Sequence, residues 1–229
     1  MNRSTKIIAA LVAAPLTMLV ATTTFAADEP QRPNYKYVEL DYVYGTSEIT
    51  SDSLSDQINQ DTFYLPKGLA LKGSYVFVEQ LLLRGSYYVG SGEWKKTADV
   101  DQQSALLGVS WLAPTTDATG IDVGLDYRAD NVDLKRKSTG ASGDTDIKGF
   151  GVSFGVRAAP IKQLELGARV GWYENDFDGA IGWALNAAWN IGDRWGVNLS
   201  YESIDADVNN SEINKYELNQ AALGGRFYF

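Results

Sequence analysis

The chain has 229 residues, with 20 basic and 29 acidic side chains and neither histidine nor cysteine. A net charge of −9 argues against nucleic acid as a partner and against direct adhesion to anionic lipid headgroups. The absent residue types exclude Ser/His and Cys/His nucleophiles, His-based metal sites and disulfides.

Residues 1–26 read as a cleaved secretory leader. Arg3 and Lys6 supply the basic start, Ile7 to Val20 the apolar run, and Thr24-Phe25-Ala26 a small-x-small cleavage site. About 14 apolar residues are too few to span a bilayer, which needs roughly 20. Removing the leader's two basic residues takes the net charge from −9 to −11. Positions 27–229 then form a single domain. No later stretch is long and apolar enough for a membrane helix, but hydropathy is nearly blind to barrel strands.

After a polar lead-in, ten segments alternate at period two, the mark of a β-strand with two unlike faces. The first, Tyr35 to Tyr44, sets Val38, Leu40, Tyr42 and Tyr44 against Tyr37, Glu39, Asp41 and Val43. The second carries Leu69, Leu71, Tyr75 and Phe77 on one face and Lys72 on the other; the third sets Leu83, Tyr87 and Val89 against Arg84 and Tyr88. The fourth opposes Ala105, Leu107, Val109 and Trp111 to Ser104, Gly108 and Ser110. The fifth is the cleanest, with Ile121, Val123, Leu125 and Tyr127 alternating with Asp122, Asp126, Arg128 and Asp130.

The sixth presents Phe150, Val152 and Phe154 opposite Ser153 and Arg157; the seventh presents Leu164, Leu166 and Trp172 opposite Glu165 and Arg169. The eighth and ninth place Trp183, Trp189, Trp195 and Tyr201 on the apolar face and Glu202 on the other. The tenth, within Lys215 to Phe229, places Phe227 and Phe229 opposite Arg226. Short connections at 77–80, 114–120, 159–163 and 191–194 alternate with polar ones at 45–61, 90–102, 130–146, 174–179 and 204–214, read here as loops. The expected fold is therefore all-β, a closed antiparallel transmembrane barrel of about ten strands. The seventh and eighth strands are the weakest division, and eight strands are the alternative if two segments merge.

The apolar faces carry no charge across their central parts, where a charge facing lipid costs about 2–4 kcal/mol. Aromatics gather at the edges of that band, as amphipathic rings do in a headgroup layer. One girdle holds Tyr42, Tyr44, Tyr87, Tyr127, Phe150, Trp172, Trp183 and Tyr201; the short-turn girdle holds Phe77, Trp111, Trp189, Trp195, Phe227 and Phe229. The opposite, lumen face gathers Glu39, Asp41, Asp122, Asp126, Asp130, Glu165 and Glu202 with Lys72, Arg84, Arg128, Arg157, Arg169 and Arg226. Enclosed charge must pair, which suits a salt-bridged interior; a charged pore lining is the other reading. Small inward residues in strands six to nine, such as Gly155, Gly167, Gly171 and Ala184, either leave a wet passage or make room for Arg and Tyr.

The polar connections repeat Asp-x-Asp at Asp99/Asp101, Asp144/Asp146, Asp176/Asp178 and Asp205/Asp207. Such carboxylates suit Ca²⁺ or Mg²⁺, or are simply solvated.

With its leader, its alternating strands and its ending GRFYF, the chain resembles the small outer-membrane β-barrel proteins of Gram-negative bacteria. This is the opacity-protein, OmpX-like and OmpA-barrel group, also described as porin family. The resemblance implies Phe229, with Phe227 before it, as the signal read by the barrel assembly machinery, and periplasmic chaperones on the way. The expected protein is a monomer in contact with outer-membrane lipid and lipopolysaccharide, with no cofactor. Enzymes of that compartment, the omptin-like proteases and lipid A deacylases, rely on a histidine this chain lacks. The expected function is structural or surface-interacting, with a narrow passive channel for small polar solutes as the alternative.

Overall fold

The computed structural model describes residues 33–50, 61–94, 98–138, 140, 142–174, 176, 179–207 and 215–229. The proposed leader lies outside these residues. The ten strands are β1 (Tyr37–Thr50), β2 (Asp61–Val78), β3 (Leu81–Trp94), β4 (Ala98–Pro114), β5 (Thr119–Arg136), β6 (Ser142–Ile161), β7 (Leu164–Tyr173), β8 (Ala180–Ile191), β9 (Trp195–Asp207) and β10 (Lys215–Tyr228). Each pairs antiparallel with its sequence neighbour, and β1 pairs with β10 along its whole length, from Tyr37↔Tyr228 to Thr50↔Lys215. The barrel is closed, so no strand edge is left to face lipid.

Ten strands, not eight, are present, and β7 and β8 are separate walls. The turns at one end are tight. Glu79-Gln80 joins β2 to β3, and a Gly192 with φ of 72° lets β8 turn into β9. Such a φ is open to glycine at little steric cost.

The outward face is apolar through the middle of the strands and exposed on most of them, β7 being partly covered at Ala168. On β8 the run Ile181, Trp183, Leu185, Ala187, Trp189, Ile191 holds no polar side chain. At ~3.3 Å per residue it covers about 33 Å of strand. Tilted by about 40°, that is roughly 25 Å of height, the thickness of an outer-membrane apolar band. The girdle aromatics project outward at the rims, several in contact. Ring centroids lie 4.9 Å apart for Tyr127–Phe150, 5.1 Å for Trp183–Tyr201 and 4.9 Å for Trp195–Phe227. Tyr75 also belongs to the short-turn girdle: it stacks on Phe229 at 6.1 Å, and Lys36 sits 5.5 Å above its ring. Its place among the rim aromatics follows from that contact with the chain end.

One expectation is corrected. Much of the segments 45–61, 90–102, 130–146 and 204–214, read as loops, continues the strands past the upper aromatic girdle. There the two faces exchange character. Asp99, Asp101, Asp133 and Asp205 point outward and are exposed, while Val100, Val132, Ile147, Ile204, Tyr216 and Leu218 pack inside at 0–3% exposure. The physical reason is the change of solvent. Within lipid the outer face must be apolar and the inner one can be polar; in water a barrel wall needs the reverse. The polar residues between the inward ones hid this second core. A modest truncation tests it: Ile204→Val is expected to cost about 1 kcal/mol in urea unfolding from micelles, whereas in a solvated loop it would cost nothing measurable.

Candidate functional site

The lumen is the candidate site, and its side chains come from alternate positions of all ten walls. The thirteen charged residues expected inside lie there and form three chains of ion pairs. The first runs from Arg157 to Glu165 (3.5 Å), Arg226 (2.8 Å), Glu39 (2.7 Å), Lys72 (3.6 Å) and Asp41 (2.6 Å). Arg226 is the hub. Its Nε donates to Glu39 and its Nη1 to Glu165, its Nη2 donates to Asn198 at 3.1 Å, and its plane lies 4.1 Å from the Tyr37 ring centroid. Arg226, Glu39 and Glu165 are each 2% exposed. This is the planar fork that Arg offers and Lys does not.

The second chain joins Arg84 to Asp126 and to Asp122 (3.3 Å), and Asp122 to Arg169 (2.6 Å). Both guanidinium groups also donate to Ser153 Oγ. The third joins Arg128 to Asp130 (2.8 Å) and Glu202 (2.5 Å). The first two chains are electrically balanced. The one carboxylate in excess belongs to the third, where Glu202 retains 37% side-chain exposure.

Small residues make these chains possible. A Cβ on Gly155 would come within 2.5 Å of Asp122 Oδ2 and 2.7 Å of Arg169 Nη2, and one on Gly171 within 2.9 Å of the Tyr173 hydroxyl. Room for large side chains is therefore one use of the glycine wall. We expect Gly155→Val to displace the Asp122–Arg169 pair and lose about 1–3 kcal/mol, seen as earlier urea unfolding with unchanged slope.

Among the described residues, side chains pack into the lumen toward both ends. At the long-strand end the inward apolar cluster fills it, with Gln102 Nε2 donating to the Tyr216 hydroxyl at 2.8 Å. At the short-turn end the segment before β1 crosses the mouth. Tyr35 packs on Leu82 and Leu112 beneath the Arg157 guanidinium, 4.6 Å from the ring centroid, and Asn34 N–H donates to Glu165 at 3.0 Å. This strap was not legible as such, since Tyr35 continues the first strand's alternation. Between the two packed ends lies a chamber of ≈ 210 Å³.

The described Asp-x-Asp residues lie outside the lumen. Lys137 pairs with Glu93 at 2.6 Å and with Asp99 at 3.0 Å, and these carboxylates, Glu93 first, raise the lysine above its ordinary range. Asp146 is held below the usual carboxylate range by the Asn131 amide and then by Lys148. Asp176 accepts the Lys148 N–H at 3.0 Å. Asp101, Asp133 and Asp144 fall in one register row across β4, β5 and β6, and Asp205 and Asp207 lie on β9. Asp178 lies outside the described residues. Among the described residues no three carboxylates converge as a metal ion requires.

No protein-family model matches the sequence, and no curated protein matches it. Among solved structures, the attachment invasion locus protein Ail of Yersinia pestis is similar at 14% identity, covering 85% of this chain and 99% of that one, with a TM-score of 0.43. Neisserial surface protein A is similar at 14% identity, covering 84% and 96%, with a TM-score of 0.43. The translocator domain of the autotransporter NalP from Neisseria meningitidis is similar at 11% identity, covering 98% of each, with a TM-score of 0.49. At these values the likeness assigns no role. The closed register, the charge-free outer band and the paired-charge interior are this chain's own, and they make it a small transmembrane β-barrel of ten antiparallel strands.

Proposed function

We propose that the chain is a non-enzymatic outer-membrane barrel with a structural or surface-interaction role. The observation that carries this reading is the packing of the lumen toward both ends, by the apolar cluster above and by Tyr35 and the Arg226 network below. A filled interior leaves the outer faces to meet partners. The tight turns and the Tyr35 strap then belong to the periplasmic side. The strand extensions stand outside the cell in this reading, where Lys67, Lys135 and Lys148 are exposed on the outer face. Assembly in this reading goes through periplasmic chaperones and the barrel assembly machinery, with Phe229 as the recognised residue, and the barrel acts as a monomer.

Planar-bilayer recording tests it. The pure protein, inserted and shown folded by heat-modifiable migration, is expected to give no stable unit openings. Arg84→Ser with Arg169→Ser is expected to stay silent too, because both packed ends remain. Regular openings in either protein would favour the second reading, a narrow passive channel, for which the chamber itself is the supporting observation.

A further inference from the structure

The inner wall of β7 to β10 sets two members of the ion-pair chains beside polar groups those chains do not use. Register sets Arg169, Ala184, Glu202 and Gln220 side by side in one row. The row beneath is Gly167, Asn186, Ser200 and Ala222. Both rows line the central chamber. With strands about 4.8 Å apart, the backbones of Arg169 and Glu202 stand roughly 10 Å from each other, and only the methyl group of Ala184 lies between them. From the facing wall Lys72 reaches over to donate to Ser200 Oγ at 2.9 Å.

Among the charged groups lining the chamber, three retain substantial exposure: Lys72 at 26%, Arg169 at 24% and Glu202 at 37% of the side chain. Among the described residues Asn186 Nδ2 and Gln220 Nε2 have no acceptor, but these atoms, like the partnerless Ser74 and Tyr88 hydroxyls, are packed away from the open space. All four residues line the chamber.

Charge decides what kind of molecule. Among the described residues the interior holds one carboxylate in excess, so a simple anion would add to the imbalance, while a simple cation would offset it but face Lys72 and Arg169. A molecule with one charge of each sign leaves the balance unchanged. We propose that the chamber binds a small zwitterion of the α-amino-acid class. Its carboxylate lies toward Lys72 and Arg169 and its ammonium toward Glu202. At ≈ 210 Å³ the space is below that of a drug-sized ligand pocket and suits a molecule with a short side chain. The inference goes beyond the closed-barrel reading, and neither stands or falls with the other.

The test is thermal unfolding of the full barrel refolded into micelles with excess alanine, acetate or ethylammonium, so that entry past Tyr35 is not limiting. Alanine is expected to raise the midpoint saturably by several degrees, as a ligand of the native state must. Acetate and ethylammonium at equal concentration are expected to leave it in place. Ala184→Leu fills the gap without changing charge and is expected to abolish the shift while heat-modifiable migration reports a folded barrel. Should that variant not fold, Glu202→Gln is read instead, with the same loss expected. An equal shift with acetate would make the chamber a plain anion site. A shift retained in the folded variant would place the binding elsewhere, and no shift with any compound would leave the chamber to water. Each of these three results overturns the proposal, whatever the bilayer recordings give.

Discussion

Arg226→Met is expected to unfold in urea far earlier than wild type, losing about 3–5 kcal/mol. Methionine fills much of the same volume, so packing accounts for little of the loss. The cause is what stays behind. Glu39 and Glu165 are each 2% exposed, and Arg226 is the nearest cation to both, at 2.7 and 2.8 Å. Lys72 and Arg157 stand farther off, at 3.6 and 3.5 Å, and cannot replace a fork that binds two carboxylates at once. The check is a triple variant, Arg226→Met with Glu39→Gln and Glu165→Gln, which removes the charge together with its partners. It is expected to regain most of the loss, because replacing a whole buried ion network by neutral groups is often nearly neutral. If the triple variant is no better than the single one, packing and not charge holds this end of the barrel.

A second large effect is expected from Leu125→Arg, about 2–4 kcal/mol against the folded barrel in a bilayer. Leu125 is 69% exposed on the outer face of β5, below Tyr127 of the upper girdle. Eight residues along the same face, Asp133→Arg is expected to change stability by less than about 0.5 kcal/mol. Its register neighbours are Asp101 and Asp144, so an arginine there would relieve like-charge crowding. Reversible folding into lipid vesicles measures both. Equal costs at the two positions would mean that the upper girdle does not mark the edge of the lipid.

These expectations show how much was readable along the chain. Alternation separated Leu125 from Asp126 and placed each on its proper side of the wall, because period two admits only two faces. The lumen charges were legible for the same reason, and their near balance foretold pairing. Partners were not. Arg226 meets Glu165 across the barrel, and Lys72 reaches Ser200 from β2 to β9; such meetings depend on closure and on the register of every intervening strand. The upper core was hidden by a different circumstance. Val100, Ile147 and Leu218 sit among charged residues, and a stretch with a polar outer face resembles a loop when the neighbouring segment has an apolar one.

By itself the sequence determined the kind of object: a β-barrel with a lipid-facing band, a paired-charge interior and rims of aromatic side chains. Local chemistry suffices for that, since a lipid-exposed wall tolerates no charge and an enclosed charge tolerates no isolation. Only the tertiary structure decided what the interior amounts to. Closure of β1 on β10 chose the partners of each charge, drew Tyr35 across one mouth and gathered an apolar cluster in the other. It also brought Arg169, Glu202 and Lys72 around one chamber, from strands far apart in the chain. Those contacts depend on how long side chains from facing walls share a lumen of fixed width, and no period along the sequence carries that information.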